Sequence, residues 1–564
     1  MSEPSPNEQE ASELAEIAKQ PLGKRLTYYA GKTGPGWLQA AITLGGGSLA
    51  GALFLGVILE YQLMWLQPLA MILGVVMLSA IAYVTLSSQR RPFMAVNEFV
   101  SPVLGWAWLI GAMLANIVWC LPQFALGTGA VQQNLFPQLE GSTWAPWAIG
   151  GVLLGFAAVV VRAYDSDNKG IKAFEMILKV MVGIVVLSFF FVVAKLTIAG
   201  TLDWVAIFKG FIPNIKDLKE PAPAIAAAIA ATGDHASTWS GMVGGIQKDK
   251  IIAAFGTAVG INMTFLLPYS MLRKGWGAGH RGLAVFDLGT GLIIPFMLAT
   301  GCIVIAAASQ FHGKTDDIIK ADGTVIAGRE ASFAGVADGF IKKNFVEDLA
   351  GLEGDALSGK IGELRDGLSL EDRKVAAMLV DRKDGDLANA LQSLGGRDVS
   401  RWIFGIGVLG MALSTIIILM LINGFCLCEA MNRPGDKKLH FIGSLIPGLL
   451  GICFPLIWTG QSKAALAVPT SVIGSSLLPI AYFTFLLLMN SKKLLGDAMP
   501  TGGKRILWNV LMVIATGAAT FGSIWALKDK SLNGFPMGKV GIAVLAVLML
   551  LGLFGFLSKN KKEV

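Results

Sequence analysis

Charged residues and histidines are scarce in this chain. Only 15% of its 564 residues are Asp, Glu, Lys or Arg, and four are His, whereas a soluble domain carries about 25% charged residues. This scarcity excludes a soluble globular enzyme and a disordered chain. Hydrophobic residues make up 54% of the chain, and its mean hydropathy is +0.61. The composition therefore predicts an all-α polytopic membrane protein.

Cysteine is also rare. The five cysteines all lie in apolar runs, and the closest pair is spaced C-x-C on a predicted helix, where neighbouring side chains point apart. We expect free thiols and neither a disulfide nor a zinc site, and we predict no cofactor. No cleavable signal peptide is expected in residues 1–33, because they are polar and charged.

Twelve apolar stretches are long enough, at about 20 residues, to cross a bilayer. They are predicted at 34–58, 62–87, 103–129, 146–163, 172–199, 251–272, 284–311, 401–427, 438–458, 467–489, 506–527 and 539–557. Lys and Arg concentrate in alternate loops, which predicts a multi-pass protein of the plasma or inner membrane with both termini cytoplasmic. The net charge of +7 is therefore attributed to the basic residues that set the orientation of the spans in the membrane. No nucleic-acid partner is expected.

The spans and loops divide the chain into segments. We predict a cytoplasmic N-terminal segment at 1–33, membrane parts at 34–311 and 400–558, and a cytoplasmic tail at 559–564. The first membrane part contains an outside loop at 200–250. Between the membrane parts lies a polar extracytoplasmic insert, 312–399, with 17 acidic and 12 basic residues. Its protein partner is not indicated by the sequence.

The insert contains one amphipathic stretch, from Ser369 to Val380, which predicts a helix. A run of acidic residues follows, Asp381, Asp384 and Asp386, which is compatible with calcium binding. The run lacks the spacing of an EF-hand loop, and Gln392 stands where the loop needs Glu. We therefore favour a solvated helical cap over a metal site.

The first span is interrupted by Gly45-Gly46-Gly47-Ser48. Each glycine in a helix costs about 1 kcal/mol relative to Ala. Close packing of helices through small residues is one interpretation. A broken helix is the other, and we favour it because unwound backbone at membrane depth is tolerated where it lines a cavity.

The sixth span contains Gly260-Ile261-Asn262-Met263-Thr264, with Pro268 one turn later, and this again predicts a break. Two interrupted spans at corresponding positions of two halves are typical of secondary transporters with inverted repeats. Here they are spans one and six, which fits two five-helix repeats followed by two terminal helices.

Several short segments of the chain, taken in order, resemble segments of the natural resistance-associated macrophage protein (Nramp) family of metal-ion transporters. The chain resembles a divergent branch of that family. These segments are Gly34-Pro35, Phe174-Glu175, Asp203-Trp204, Gly210 to Pro213, Asp287 and Ser414-Thr415. The resemblance implies a LeuT-type fold, a 5+5 inverted repeat with discontinuous helices 1 and 6, and a substrate held between those two helices.

This chain differs from the family at the positions of the family's functional residues. Its Asp-Pro-Gly-Asn signature aligns with Gly45–Ser48, so the metal-binding Asp is missing. Its Met-Pro-His-Asn signature aligns with Asn262–Phe265, where Met263 is one position off. Its tenth-helix Gln falls on Ser471, and the acidic pair linked to proton movement falls on Leu121 and Phe124. Any metal ligands are therefore unknown at this point.

The predicted substrate site is neutral. Its candidate residues are Gly45, Gly46, Gly47, Ser48, Asn262, Met263, Thr264, Asn423 and Ser471. Ser414, Ser475 and Tyr269 are predicted nearby. For Asn423, Ser414 and Ser475 the favoured alternative is hydrogen bonding between helices.

Three functions remain open. The first is alternating-access transport of a divalent metal cation, possibly hydrated, without the usual acidic ligand or proton pathway. The second is transport of a small neutral or zwitterionic organic solute, and the third is a non-transporting sensor or scaffold acting through the insert at 312–399. An enzyme is not expected, because no intramembrane carboxylate pair, nucleophile with a His base, or phosphate-binding motif is present.

Overall fold

The computed structural model describes residues 19–164, 190–382, 397–458, 462–531 and 534–560, and a few single positions outside these ranges. The described residues are overwhelmingly helical, as predicted. The β-structure that they contain is one isolated antiparallel bridge between Ile319 and Val325.

Among the described residues, the first half of the chain contributes thirteen helices. They are α1 (Leu22–Ala30), α2 (Pro35–Thr43), α3 (Gly46–Leu59), α4 (Leu66–Ser88), α5 (Pro92–Phe99), α6 (Pro102–Gly129), α7 (Ala145–Tyr164), α8 (Trp204–Lys209), α9 (Pro223–Ala231), α10 (Ala236–Gly256), α11 (Ile261–Arg273), α12 (Arg281–Leu288) and α13 (Ile294–Phe311).

The insert and the second half contribute ten more. They are α14 (Glu330–Asn344), α15 (Gly354–Asp366), α16 (Leu370–Leu379), α17 (Arg397–Ala430), α18 (Lys437–Ile452), α19 (Phe454–Ile457), α20 (Ala467–Met489), α21 (Lys492–Leu495), α22 (Gly502–Leu527) and α23 (Met537–Asn560).

Nine helical segments of the described residues are long and apolar enough to cross a membrane, and the bent pair α2 and α3 makes a tenth. These ten coincide with ten of the twelve predicted spans. Of the other two, the stretch 172–199 lies largely outside the described residues. The stretch 438–458 forms α18 and the short α19, which are separated at Cys453.

The sixth span begins earlier than predicted. We expected an outside loop at 200–250, but α10 begins at Ala236, inside that loop. The prediction placed the boundary by hydropathy, and the first turns of α10 carry Ser, Thr, Gln and Lys side chains. Residues such as Gln247 and Lys250 are nevertheless buried, because α9 and the insert pack around this half of the helix.

The insert is more than a solvated cap. The predicted helix is present as α16, and Ser369 caps it by accepting a hydrogen bond from the Asp372 N–H. However, Phe333 and Phe340 of α14 are fully buried, and the Phe340 ring stacks on Trp239 of α10 at 4.1 Å. The insert thus shares one buried apolar cluster with α3, α10 and α13.

Two of the three residues in the acidic run after α16 are paired with basic side chains. Asp381 accepts a hydrogen bond from Lys250 at 2.7 Å, and Asp386 pairs with Arg329, while Asp384 lies outside the described residues. Their carboxylates are neutralised by basic side chains, which leaves little charge for a cation. Within the described parts of the chain, no group of three His, Cys, Asp or Glu residues could hold a metal ion.

Candidate functional site

The first break separates α2 from α3, whose axes are bent by 51°. Leu44 and Gly45 are not helical, and α3 begins at Gly46. Ser48, in the first turn of α3, donates a hydrogen bond back to the carbonyl of Thr43, the last residue of α2. The serine hydroxyl therefore satisfies a carbonyl that the break leaves without its helical partner.

The glycines at this break are required by close approach of neighbouring helices. A Cβ added to Gly45 would overlap the Thr415 hydroxyl, and one added to Gly46 would lie 2.5 Å from a methyl carbon of Leu126. Gly45 has an ordinary extended backbone conformation, with φ −97°. Both sequence interpretations therefore hold, because the helix is broken and its small residues also permit tight packing.

The second break separates α10 from α11 at residues 257–260. Pro268, part of the pattern that predicted the break, lies inside the continuous helix α11. Asn262 and Met263 therefore occupy the first turn of α11. At this position the N–H groups of a helix lack intrahelical acceptors, so side chains and neighbouring segments become the available partners.

The two breaks enclose a cavity of about 40 Å³. Its walls combine backbone, hydroxyl, amide, thioether and apolar groups, and no charged side chain contributes to them. They are formed by Ile42, Thr43, Gly47, Ser48, Trp119, Gln123, Thr257, Gly260, Asn262, Met263, Thr415 and Leu419.

Hydroxyl and thioether groups connect the two breaks across this cavity. The Thr43 hydroxyl lies 3.4 Å from the carbonyl oxygen of Ala258 and 3.4 Å from the Met263 sulfur. The Ser48 hydroxyl lies 3.5 Å from the carbonyl oxygen of Thr257. A hydroxyl that donates its proton to a carbonyl keeps its oxygen lone pairs. These oxygens can therefore still accept a hydrogen bond or coordinate a cation.

Asn262 is fully buried and incompletely paired. Its Oδ1 accepts a hydrogen bond from the Met263 N–H at 2.9 Å, and its Nδ2 has no hydrogen-bond partner among the described residues. The Met263 N–H has a second acceptor, the carbonyl of Gly260 at 3.1 Å. The unpaired Asn262 Nδ2 therefore keeps its N–H donors for another group, such as a water molecule beside it.

Of the nine predicted site residues, the cavity brings together Gly47, Ser48, Asn262 and Met263. Gly45 and Gly46 support it from the break itself. Ser471 is fully buried near the cavity, with its Oγ 3.6 Å from the position of a Cβ on Gly47.

Two predicted residues point elsewhere. The Thr264 hydroxyl accepts a hydrogen bond from the indole N–H of Trp108 at 2.9 Å, so it joins α11 to α6. Asn423 donates to the Gly443 carbonyl at 2.8 Å and joins α17 to α18. Both are hydrogen bonds between helices, as the alternative interpretation of Asn423 anticipated. Neither residue lines the cavity.

The sequence reasoning missed the contributions of α6 and α17. Gln123 accepts a hydrogen bond from the Gly46 N–H at 2.8 Å and thereby caps α3 from a different helix. Thr415 lines the cavity and sits close to the carbonyls of Ala41 and Ile42. Gln123 could have been recognised from the sequence, because it is a polar residue within a largely apolar span. Leu121 and Phe124, the aligned positions, are not in the cavity walls.

Asp287, one of the residues that carry the resemblance, holds the start of the first span in place. Its carboxylate accepts hydrogen bonds from the N–H groups of Gly34 at 3.1 Å and Gly36 at 2.6 Å. It is completely buried at the N-terminus of α2, where the helix dipole favours negative charge. Phe174 and Glu175, by contrast, lie outside the described residues.

Comparison with known proteins agrees with this geometry. The chain is similar to the manganese transporter of Eremococcus coleocola in complex with an aromatic bis-isothiourea substituted compound, with 13% identity, 96% of each chain covered and a TM-score of 0.59. A point mutant of that transporter gives 12% identity, coverage of 96% of this chain and 97% of that chain, and a TM-score of 0.60. At such low sequence identity, the similarity shows only that the fold is shared. No curated protein matches the chain in sequence.

The fold is therefore the LeuT-type inverted repeat of helical membrane transporters, with discontinuous first and sixth spans. A family model described as natural resistance-associated macrophage protein-like matches residues 36–327 and 376–525. These residues make up well over half of the chain and include both helix breaks and most of the cavity walls. The chain belongs to the natural resistance-associated macrophage protein-like family.

Proposed function

We propose that this protein moves a divalent metal cation across a membrane by alternating access, with the cation held between the two helix breaks. Membership of the family and a fold shared with a manganese transporter support a metal ion as substrate. Both termini are proposed to be cytoplasmic, which rests on the distribution of Lys and Arg along the chain.

The observation that carries this proposal is the size of the cavity. Its volume is about 40 Å³, and a cavity needs about 10–15 Å³ on the same measure to hold one water molecule. Sites for organic ligands usually measure about 300–1,000 Å³. In this conformation the cavity has room for an ion with little accompanying water, and an amino acid or osmolyte does not fit.

The chemistry of the walls argues for weak binding. The cavity offers neutral oxygens from Ser48 and Thr43 and one thioether sulfur from Met263. A divalent cation without an anionic ligand must keep part of its hydration to offset the cost of desolvation. Thioether sulfur suits softer transition metals better than Mg²⁺ or Ca²⁺. We therefore propose a partly hydrated transition-metal ion over Mg²⁺.

Alternating access is supported by the burial of the site. Ser48 is 1% exposed, Met263 is 2% exposed, and Asn262 is fully buried. Because the residues that would hold the ion are buried, its entry and release require the helices around it to move. The unwound residues between α2 and α3 and between α10 and α11 are the natural hinges, because they lack the regular hydrogen bonds of a helix.

Calorimetric titration of the purified protein with Mn²⁺, Mg²⁺ and Ca²⁺ tests the proposal. We expect saturable Mn²⁺ binding that is weakened in Ser48→Ala and Asn262→Ala and shifted toward Mg²⁺ in Met263→Leu. Thr264→Val serves as a matched control, since Thr264 neighbours Met263 in sequence but faces Trp108.

Flux into proteoliposomes then tests movement across the membrane. Mn²⁺ uptake that falls in the same order as the binding affinities supports transport. If none of the divalent ions binds or moves while the protein remains folded, the metal proposal is wrong. A screen of organic solutes and deletion of the insert would then test the two alternative functions.

A further inference from the structure

A second and much larger cavity, of about 540 Å³, shares no lining residue with the cavity between the helix breaks. It is formed where α1, α4, α12 and α22 come together. Three basic side chains, Arg25, Arg281 and Lys504, line it together with Tyr29, Tyr83 and Trp508. All three basic residues belong to segments whose charge pattern predicts the cytoplasmic side.

This cavity, which we call the basic cavity, has no acidic residue among the described residues that line it. Among the described residues, no carboxylate lies within ion-pair distance of Arg25, Arg281 or Lys504. The Arg25 Nε is buried and has no hydrogen-bond partner there. Glu13, from the neighbouring N-terminal stretch, instead accepts a hydrogen bond from Tyr28. Three positive charges around one concave surface repel each other, so an anion bound between them would be stabilised.

The aromatic walls hold the basic side chains in place. The Arg281 guanidinium lies over the Tyr83 ring at 4.9 Å, and its Nε donates a hydrogen bond to the Ala278 carbonyl at 3.0 Å. The Tyr83 hydroxyl in turn donates to the Ala498 carbonyl at 2.7 Å. A guanidinium fixed by stacking loses less freedom when it binds a ligand. Its terminal nitrogens match the geometry of phosphate oxygens.

The basic cavity lies beside a surface that faces lipid. On α22, immediately after Lys504, the apolar residues Ile506, Leu507 and Val510 are 67%, 59% and 50% exposed. In a membrane-spanning helix such residues contact acyl chains. Trp508 and Tyr83, whose ring centroids are 6.1 Å apart, are residue types typical of the membrane–water interface. The cavity is thus at the depth of lipid head groups.

We propose that the basic cavity binds a phosphate-bearing anion, with the head group of an anionic phospholipid as its source. A free inorganic phosphate shares the same chemistry and is the other source to be tested. This site is independent of the proposed metal site, because none of its lining residues belongs to the walls of the smaller cavity. A bound lipid there would join α1 and α22 to the core of the protein.

The test uses the full chain in detergent, freed of endogenous lipid and examined by native mass spectrometry. Phosphatidylglycerol is titrated in one arm, phosphatidylcholine in a second, and inorganic phosphate in a third, where thermal stability is the readout. The double variant Arg25→Gln/Lys504→Gln is compared with Lys24→Gln/Lys492→Gln. The control removes the same charge from exposed residues that do not line the cavity.

We expect phosphatidylglycerol to bind more tightly than phosphatidylcholine, and the cavity variant to weaken it about 25-fold, or about fivefold for each basic residue removed. The control variant should bind like the wild type. If phosphate stabilises the wild type but not the cavity variant, and no lipid preference exists, the source is a soluble anion. If the two variants bind both anions equally well, the proposal is wrong.

Ionic strength provides a readout that needs no variant. The affinity of the wild type for phosphatidylglycerol should fall as KCl is raised, because salt screens charges at a partly exposed site. An affinity that does not change with salt would contradict binding through the three basic side chains. This measurement keeps the proposal testable even if the double variant does not fold.

Discussion

The buried carboxylate of Asp287 offers a sharp test of how the first span is held. α2 has only nine residues and begins with Pro35, and its N-terminus receives no cap from its own N-cap residue, Gly34. A helix of this length is marginal by itself. The two hydrogen bonds to Asp287, at 3.1 and 2.6 Å, supply acceptors for amides that otherwise have none.

The size of the effect follows from these contacts. A hydrogen bond to a charged group contributes about 1.5–3 kcal/mol. Asp287→Asn keeps one acceptor and loses the charge, so we expect a loss of about 2 kcal/mol in the free energy of unfolding. Asp287→Ala removes both acceptors and should cost about 3–5 kcal/mol. The end of α2 also carries Thr43, which lines the small cavity, so Mn²⁺ binding should weaken in both variants.

Chemical denaturation in detergent, followed by tryptophan fluorescence, measures the change. Asp203 is the matched control, because its carboxylate also caps a helix, accepting from Val205 and Ala206 in α8, at an exposed position. Asp203→Asn should cost less than about 1 kcal/mol. Equal losses for Asp203→Asn and Asp287→Asn would refute the reasoning, since burial would then add nothing to the cap.

Three further predictions concern packing around the site. Gly46→Ala should destabilise the protein by about 1–3 kcal/mol, whereas Gly155→Ala, with open space around it, should be neutral or stabilising in the same denaturation assay. Thr264→Val leaves a buried indole N–H unpaired and should cost about 1–3 kcal/mol without changing Mn²⁺ affinity in calorimetry. Asp381→Asn should speed proteolysis of the insert more than Lys250→Met, because it removes the counter-charge of the more deeply buried partner, Lys250.

Much of the fold could be predicted from local patterns. A membrane span can be recognised in a sequence as about 20 consecutive apolar residues, because the thickness of the bilayer sets its length. The two breaks could be predicted because glycine is costly inside a helix, whereas Pro268 turned out to lie within α11. The start of α10 could not be predicted, because its first turns are polar and are held against the insert through Trp239, and hydropathy takes no account of contacts between distant segments.

The candidate site was only partly predictable. Ser48 and Met263 were found because they sit at the breaks themselves. Gln123 and Thr415 were missed because their place in the cavity depends on how α6 and α17 pack against α3 and α2. Thr264 was assigned wrongly for a related reason, since successive residues of a helix point about 100° apart. Its hydroxyl meets Trp108 and not the cavity.

The sequence by itself determined the class of the protein, the positions of most spans, the two breaks and the family, because each depends on residues that are close together along the chain. The tertiary structure alone decided which polar groups share the small cavity, what the carboxylate of Asp287 caps, and that three basic residues from α1, α12 and α22 surround one space. These features join residues hundreds of positions apart, and the packing of helices that brings them together leaves no local pattern in the sequence.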